Sequence, residues 1–216
     1  MRLRNVKNKK EILNNSKFLV KDYLDNCGKW SNVFGNDNPI YIEIGMGKGK
    51  FIRENAIKYP NINFIGIEKY DSVVAKCLPK IDEELTNLLI IRMDALDIDK
   101  VFDHEISRIY LNFSDPWPKT RHHLRRLSSR IFLEKYNNIF KDNMEIYMRT
   151  DNVDLYTYSL ESFSQNGYSL YDISLDLHSS IEDEDNFITT EYEDRFSSKG
   201  MPIYSVVAIK DVKSSK

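Results

Sequence analysis

Three observations predict a doubly wound α/β fold, with a mainly parallel sheet of seven strands that ends in a C-terminal antiparallel hairpin. Short apolar runs recur every few tens of residues, helix-like stretches fill the intervals, and the first run ends in a turn built on three alternating glycines. The runs Ile40–Ile44, Ile62–Ile67, Leu88–Met93, Ile106–Phe113 and Met144–Met148 are continuous enough to be strands covered on both faces. Helices are expected over Lys48–Tyr59, Ser72–Glu84, Arg126–Phe140 and Val153–Gln165, giving the βαβ rhythm. After Gly167 the pattern changes. Tyr168–Leu177 and Ile203–Ile209 are extended, with only a polar acidic loop between them, so they are expected to pair antiparallel.

The chain has 216 residues, 41% hydrophobic and 30% charged, which suits one domain over 1–216 with a basic N-terminal arm over 1–20. Mean hydropathy is −0.50 and the longest aliphatic stretch is Leu88–Ile91, so no membrane association is expected. The opening MRLRNVKNKKEIL lacks the apolar stretch of a secretory signal. Cys27 and Cys77 have no neighbours at metal-ligand spacing, so no metal site and a reducing, cytoplasmic setting are expected.

The net charge of −2 averages over opposed segments. Residues 2–17 carry six Lys or Arg against Glu11 alone, and 119–130 carry five with no acid. From Asp176 to Asp194 there are eight acids and no Lys or Arg. Segregated charge of this kind can offer a positive surface to phosphate, although a solvated charged face reads the same way from composition.

In the glycine turn, Glu43-Ile44-Gly45-Met46-Gly47-Lys48-Gly49, glycines let the backbone approach a ligand and turn at positive φ. The dinucleotide pattern G-x-G-x-x-G fails because its third glycine falls at Lys50. Glu43, two residues before the first glycine, repels a pyrophosphate and suits a cationic ligand. Glu68 ends the second strand, 23 residues after Gly45, at the distance where an acid reaches ribose hydroxyls in this architecture. Asp94 follows the third strand at the same edge. At this point the sequence resembles the Rossmann-like S-adenosylmethionine-dependent methyltransferases, which implies S-adenosyl-L-methionine as cofactor.

Ser114-Asp115-Pro116-Trp117-Pro118-Lys119 follows the fourth strand. Two prolines around a tryptophan fix the backbone, so Asp115 and Trp117 are displayed rigidly. The basic run Lys119-Thr120-Arg121-His122-His123-Leu124-Arg125-Arg126 comes directly after, and a basic cluster beside an aromatic suits a base next to its phosphates. Taken together these motifs resemble the bacterial tRNA (guanine-N7)-methyltransferase family, as do Met148-Arg149-Thr150-Asp151-Asn152 and Thr190-Glu191-Tyr192-Glu193-Asp194-Arg195-Phe196 followed by Gly200.

That resemblance implies methyl transfer to N7 of guanine 46 in the tRNA variable loop, by a monomer or homodimer. It implies cofactor contacts from Glu43, Gly45, Gly47, Gly49, Glu68, Asp94 and Asp115. Substrate contacts are implied from Lys119, Asp151, Thr190, Glu191, Tyr192 and Glu193, and RNA contacts from Trp117, Arg121, His122, Arg125 and Arg126. Leu124 departs from the family, which usually has a basic residue there. Guanine N7 carries an in-plane lone pair and no proton, so Asp115 is expected to stabilise charge rather than act as a base. Two other readings keep part of this pattern: a methyltransferase acting on a protein or small molecule, and a non-catalytic RNA-binding subunit.

Overall fold

The computed structural model describes residues 6–180, 187–197 and 200–211; Arg2 and Arg4 of the basic arm and the acids at 182–185 lie outside them. Eight strands form one sheet: β1 (Leu19–Val20), β2 (Ile40–Ile44), β3 (Asn63–Glu68), β4 (Leu88–Arg92), β5 (Ile106–Asn112), β6 (Met144–Thr150), β7 (Ser169–Ser174) and β8 (Tyr204–Lys210). Their order is β1-β4-β3-β2-β5-β6-β8-β7. Only β8 runs against the direction of the other strands, inserted between β6 and β7, so the expected hairpin closes the sheet with β7 at the edge.

Seven strands were expected, and the eighth is β1, which pairs parallel to β4 inside the segment read as a basic arm. Just before it, α1 (Lys9–Asn15) packs on α4 (Asp71–Cys77). The helix α3 (Lys50–Lys58) starts later than expected because Gly47 and Gly49 are left-handed. The helix α4 is shorter than expected and passes into a 3₁₀ turn, Leu78–Lys80, containing Pro79. The helix α5 (Arg130–Tyr136) begins only after Ser129, whose extended backbone ends the preceding loop, whereas α6 (Val153–Gln165) has its expected bounds. Asn152 caps α6, accepting the Leu155 N–H at 2.8 Å. Among the described residues no helix is long and apolar enough to cross a membrane.

Chain direction positions the site. From β2 the chain moves outward through β3 to β4, then crosses back to place β5 on the other side of β2. Loops leaving adjacent strands β2 and β5 therefore diverge, opening a crevice at the carboxyl edge. One face of the sheet packs Ile42, Ile65 and Ile109 against Phe132, Tyr136 and Phe163; the other packs Phe64 and Ile90 against Phe51, Ile52 and Val74. The N-terminal segment is fastened through Trp30, the first residue of α2 (Trp30–Phe34). Its Nε1 donates to Val101 O at 2.9 Å, and its backbone N–H to Glu105 Oε1 at 2.7 Å.

On the second face a polar group interrupts the packing. Glu43 is 2% exposed, and among the described residues its side chain accepts one hydrogen bond, from Asn112 Nδ2 to Oε1 at 3.0 Å. Burial pushes this carboxyl up to about 8, against the opposing pull of the Asn112 hydrogen bond and the Arg149 charge.

Trp30→Ala is expected to cost about 3–5 kcal/mol of stability, read as a lower urea midpoint at unchanged m-value. The raised Glu43 carboxyl means that between pH 4.5 and about 8 the folded chain holds a proton the unfolded chain has lost. Its stabilising effect is complete below the ordinary carboxyl range and declines as pH rises towards 8, by at most ~1.4 kcal/mol per pH unit. Glu68 is raised too and adds a decline of the same sign. Glu43→Gln should therefore reduce, without abolishing, the loss of unfolding free energy between pH 6 and 8 in urea titrations; an unchanged slope would mean that Glu43 ionises normally.

Candidate active site at the carboxyl edge of the sheet

Two adjoining cavities, of about 490 Å³ and 750 Å³, open at the ends of β2, β3 and β5. Both are lined by Gly45, Glu68, Tyr70, Phe113 and Asp115, so Asp115 stands at their junction. The first also holds Glu43, Gly47, Gly49, Asn112 and, from the C-terminal segment, Thr190, Glu191 and Tyr192. The second also holds Asp94, Leu96, Trp117, Leu124 and Arg125.

The glycine turn works through open space. Gly45 N–H and Met46 N–H both donate to Ile67 O, which ties the turn to β3. Gly45 and Gly47 have φ of 82° and 58°, and a Cβ on either would meet nothing within 4 Å, so bare backbone faces the cavity. Gly49 differs, because a Cβ there would collide with the Cys77 sulfur; that glycine serves helix packing. Glu68 Oε1 accepts the Tyr70 N–H at 3.0 Å, and burial raises its carboxyl. Asp94 accepts the Leu96 N–H and pairs with Lys69 Nζ at 2.6 Å.

Asp115 sits on a strained loop. Phe113 and Trp117 have φ of 51° and 41°, where bulky residues cost about 1–3 kcal/mol each. The strain is held from both ends. Phe113 N–H donates to Arg149 O at 2.8 Å, extending the β5–β6 ladder, and Arg126 Nε donates to Pro116 O at 2.8 Å.

That second contact corrects the expectation for Arg126 as an RNA ligand. It is 3% exposed, and its guanidinium lies 4.5 Å from the Tyr158 ring centroid, so it clamps the loop from inside. Arg125 is exposed and covers the Trp117 ring at 5.0 Å, with the His122 ring 5.8 Å from Trp117 on edge. Lys119 and Arg121 are exposed nearby on the 3₁₀ turn Thr120–Arg125 and its cap; neither lines a cavity.

The Thr190–Glu193 segment folds over the first cavity as a lid. Thr190 and Glu193 cap each other: Thr190 Oγ1 accepts the Glu193 N–H at 3.0 Å, and Glu193 Oε2 accepts the Thr190 N–H at 3.2 Å. Glu193 is fully buried and also meets Arg149 Nη1 at 3.3 Å and His178 Nε2 at 3.2 Å, so it holds the lid from below and lines neither cavity. Glu191 reaches back to Lys48 of the glycine turn at 3.3 Å and to Lys80 at 2.8 Å. Burial would raise its carboxyl, but the two lysines outweigh that and hold it below the usual range. Asp194 pairs with Lys50 at 2.8 Å. Asp151 lies outside both cavities and accepts the Tyr192 hydroxyl at 3.0 Å, while the Tyr192 ring packs on Phe113 at 4.9 Å.

Sequence reasoning missed Asn112, Phe113 and Tyr70 as wall residues, and the three lysines as anchors for the lid. Asn112 carried a signal, since it is a polar residue closing an otherwise apolar run.

A family profile described as a putative methyltransferase matches residues 37–206. The tRNA (guanine-N(7)-)-methyltransferase of Lachnoclostridium phytofermentans is 49% identical over 213 residues, covering 98% of this chain and 99% of that one. The protein of the same name from a Geobacillus species is 51% identical, covering 94% of this chain and 93% of that one. Among solved structures, an antibiotic-related methyltransferase superposes with TM-score 0.65 at 17% identity, covering 86% of this chain and 94% of its own. The 16S rRNA (adenine(1408)-N(1))-methyltransferase from Catenulisporales acidiphilia does so at 0.60 and 13%, covering 88% and 93%; both likenesses speak to the fold. With half its residues identical to these relatives over nearly the full length, the chain belongs to the tRNA (guanine-N7)-methyltransferase family.

Proposed function

We propose that this chain transfers the methyl group of S-adenosylmethionine to N7 of guanine 46 in the variable loop of tRNA, in the cytoplasm. The observation that carries the reading is the place of Asp115, at the junction of a glycine-floored cavity that holds Glu43 and Glu68 with one rimmed by Trp117 and Arg125. The residues fit the methyl donor. Gly45 and Gly47 leave backbone bare, Glu43 offers a buried acceptor suited to an ammonium, and Glu68 and Asp94 are carboxylates suited to hydroxyl and amino groups of a nucleoside. When bound, the sulfonium supplies an electrophilic methyl group that the N7 lone pair can attack without a general base.

The remaining work belongs to the chain. The Asp115 carboxylate stabilises the positive charge that the base acquires, from a loop held at Phe113 by the Arg149 carbonyl and at Pro116 by Arg126. Trp117 provides a stacking face for an unstacked base, and Arg125, Lys119, Arg121 and His122 meet phosphates around it. Tyr192, oriented by Asp151, and Thr190 and Glu191 close the opposite wall.

Incubating the chain with bulk tRNA and methyl-labelled donor, then mapping the labelled nucleoside, tests the assignment; label on protein or a small molecule alone would overturn it. Asp115→Asn keeps shape and removes charge, and is expected to lower the single-turnover rate by about 10²–10³ with little change in tRNA affinity. A parental rate would make the loop purely structural. Neighbouring arginines should separate cleanly. Arg125→Ala should weaken tRNA binding and flatten its salt dependence by about one phosphate contact, at unchanged melting temperature. Arg126→Ala leaves Pro116 O without its buried donor and should lower stability instead. Equal effects of the two on the salt slope would count against the buried clamp.

A further inference from the structure

We propose that Asn112 is a positioning residue for the amino-acid end of the methyl donor: it fixes the Glu43 carboxylate, and the two side chains together present acceptor atoms to the donor's ammonium group. The inference rests on the reading of the site given above and assigns a role to a residue outside the motifs that led to it.

Parity along two parallel strands brings the two side chains together. Glu43 pairs in register with Tyr110, and Asn112 stands two residues further along β5, so both side chains lie on one face at the carboxyl edge. Asn112 Nδ2 donates to Glu43 Oε1 at 3.0 Å. With the amide nitrogen turned towards Glu43, the amide oxygen faces elsewhere. Glu43 Oε2 and Asn112 Oδ1 are both buried and find no hydrogen-bond partner among the described residues, although both side chains line the glycine-floored cavity. Arg149 sits in register beside Asn112 on β6, but its Nη1 is committed to Ile188 O and Glu193.

Asn112 Oδ1 and, once Glu43 has given up its proton, Glu43 Oε2 are acceptors without a partner at one cavity wall, which suits a ligand group that only donates. An ammonium satisfies several such acceptors at once. Phosphate or carboxylate offers the Asn112 oxygen no donor and is repelled by an ionised Glu43, and an alkyl group leaves both oxygens unpaired. The pair thus selects an adenosine carrying an amino-acid end over a nucleoside polyphosphate.

A proton balance follows. The charged and titratable groups around Glu43 are Glu68 from β3 and Arg149 from β6, and Glu43 in turn acts on Cys77 of α4. Empty, Glu43 keeps its proton up to about pH 8. On receiving an ammonium it must ionise, and its proton passes to the buffer while the ammonium keeps its own.

Calorimetric titration of the full chain at pH 6.5, in two buffers of different ionisation enthalpy, tests this with S-adenosylhomocysteine and with 5′-methylthioadenosine, which lacks the amino-acid end. The parental chain should release close to one proton with the first ligand and none with the second, and Glu43→Gln should abolish the release. Asn112→Ala should weaken S-adenosylhomocysteine by about 10–100-fold and leave 5′-methylthioadenosine within about twofold. The second ligand also reports whether the variant is folded. If Asn112→Ala weakens both ligands alike, or neither, the role assigned to Asn112 is wrong while the methyl-donor reading stands. If the parental chain binds neither ligand, that reading falls and takes this inference with it.

Discussion

Burying the Glu43 carboxyl at the end of β2 costs solvation that one amide hydrogen bond does not return, and the carboxyl edge of the sheet is arranged around that debt. A strand covered on both faces accepts a polar group only at its end, where a loop can diverge and leave room for a partner. The crossing of the chain from β4 back to β5 creates that room beside β2. The turn that follows must carry no side chain for two of its glycines, since a Cβ at Gly45 or Gly47 would stand in the space facing Glu43. On the proposed reading, the donor's ammonium completes this group, and stability of the empty chain is traded for recognition.

The carboxylates of the lid are steadied by lysines from outside it. Glu191 and Asp194 fasten the lid through Lys48, Lys50 and Lys80, with Glu193 held beneath by Arg149. Part of the acidic C-terminal segment therefore finds its counter-charge on the glycine turn, on α3 and beyond α4. Such pairs at the surface contribute little each, but several of them on one short segment set where it lies. The strained Asp115 loop faces this lid, and its aromatic Phe113 packs on Tyr192, so these two walls of the first cavity touch each other.

How much of this was legible depends on what each residue does with its neighbours. The central strands were readable because burial on both faces writes a near-continuous apolar run, as in Leu88–Arg92. Strand β1 was not, because two residues leave no pattern, and its neighbours Lys17 and Lys21 read as charge. Helix ends blurred where one serine decided them, as Ser129 does for α5. The acidic turn and the Asp115 loop carried their chemistry in residue types. Asn112 was hidden inside an apolar run, and its use depends on parity with Glu43 across a parallel pair, which includes a register shift that no single run reveals. Thr190 and Glu193 form a threonine-x-x-glutamate cap whose spacing is visible in sequence, yet its burial under the lid is not.

Arg125 and Arg126 put the general lesson in its sharpest form. They are identical residue types, adjacent in a basic run, and from composition they share one expectation. The extended backbone at Arg126 that ends the 3₁₀ turn puts the two guanidinium groups to different uses. One goes inward to Pro116 and Tyr158, where its charge is spent on holding the loop. The other stays in water over Trp117, where its charge is still free to act on a phosphate. The same sorting by depth lets one small chain handle ligands of opposite sign. Carboxylates at the floor of the crevice suit a cationic donor, and solvated cations at its rim suit a polyanion.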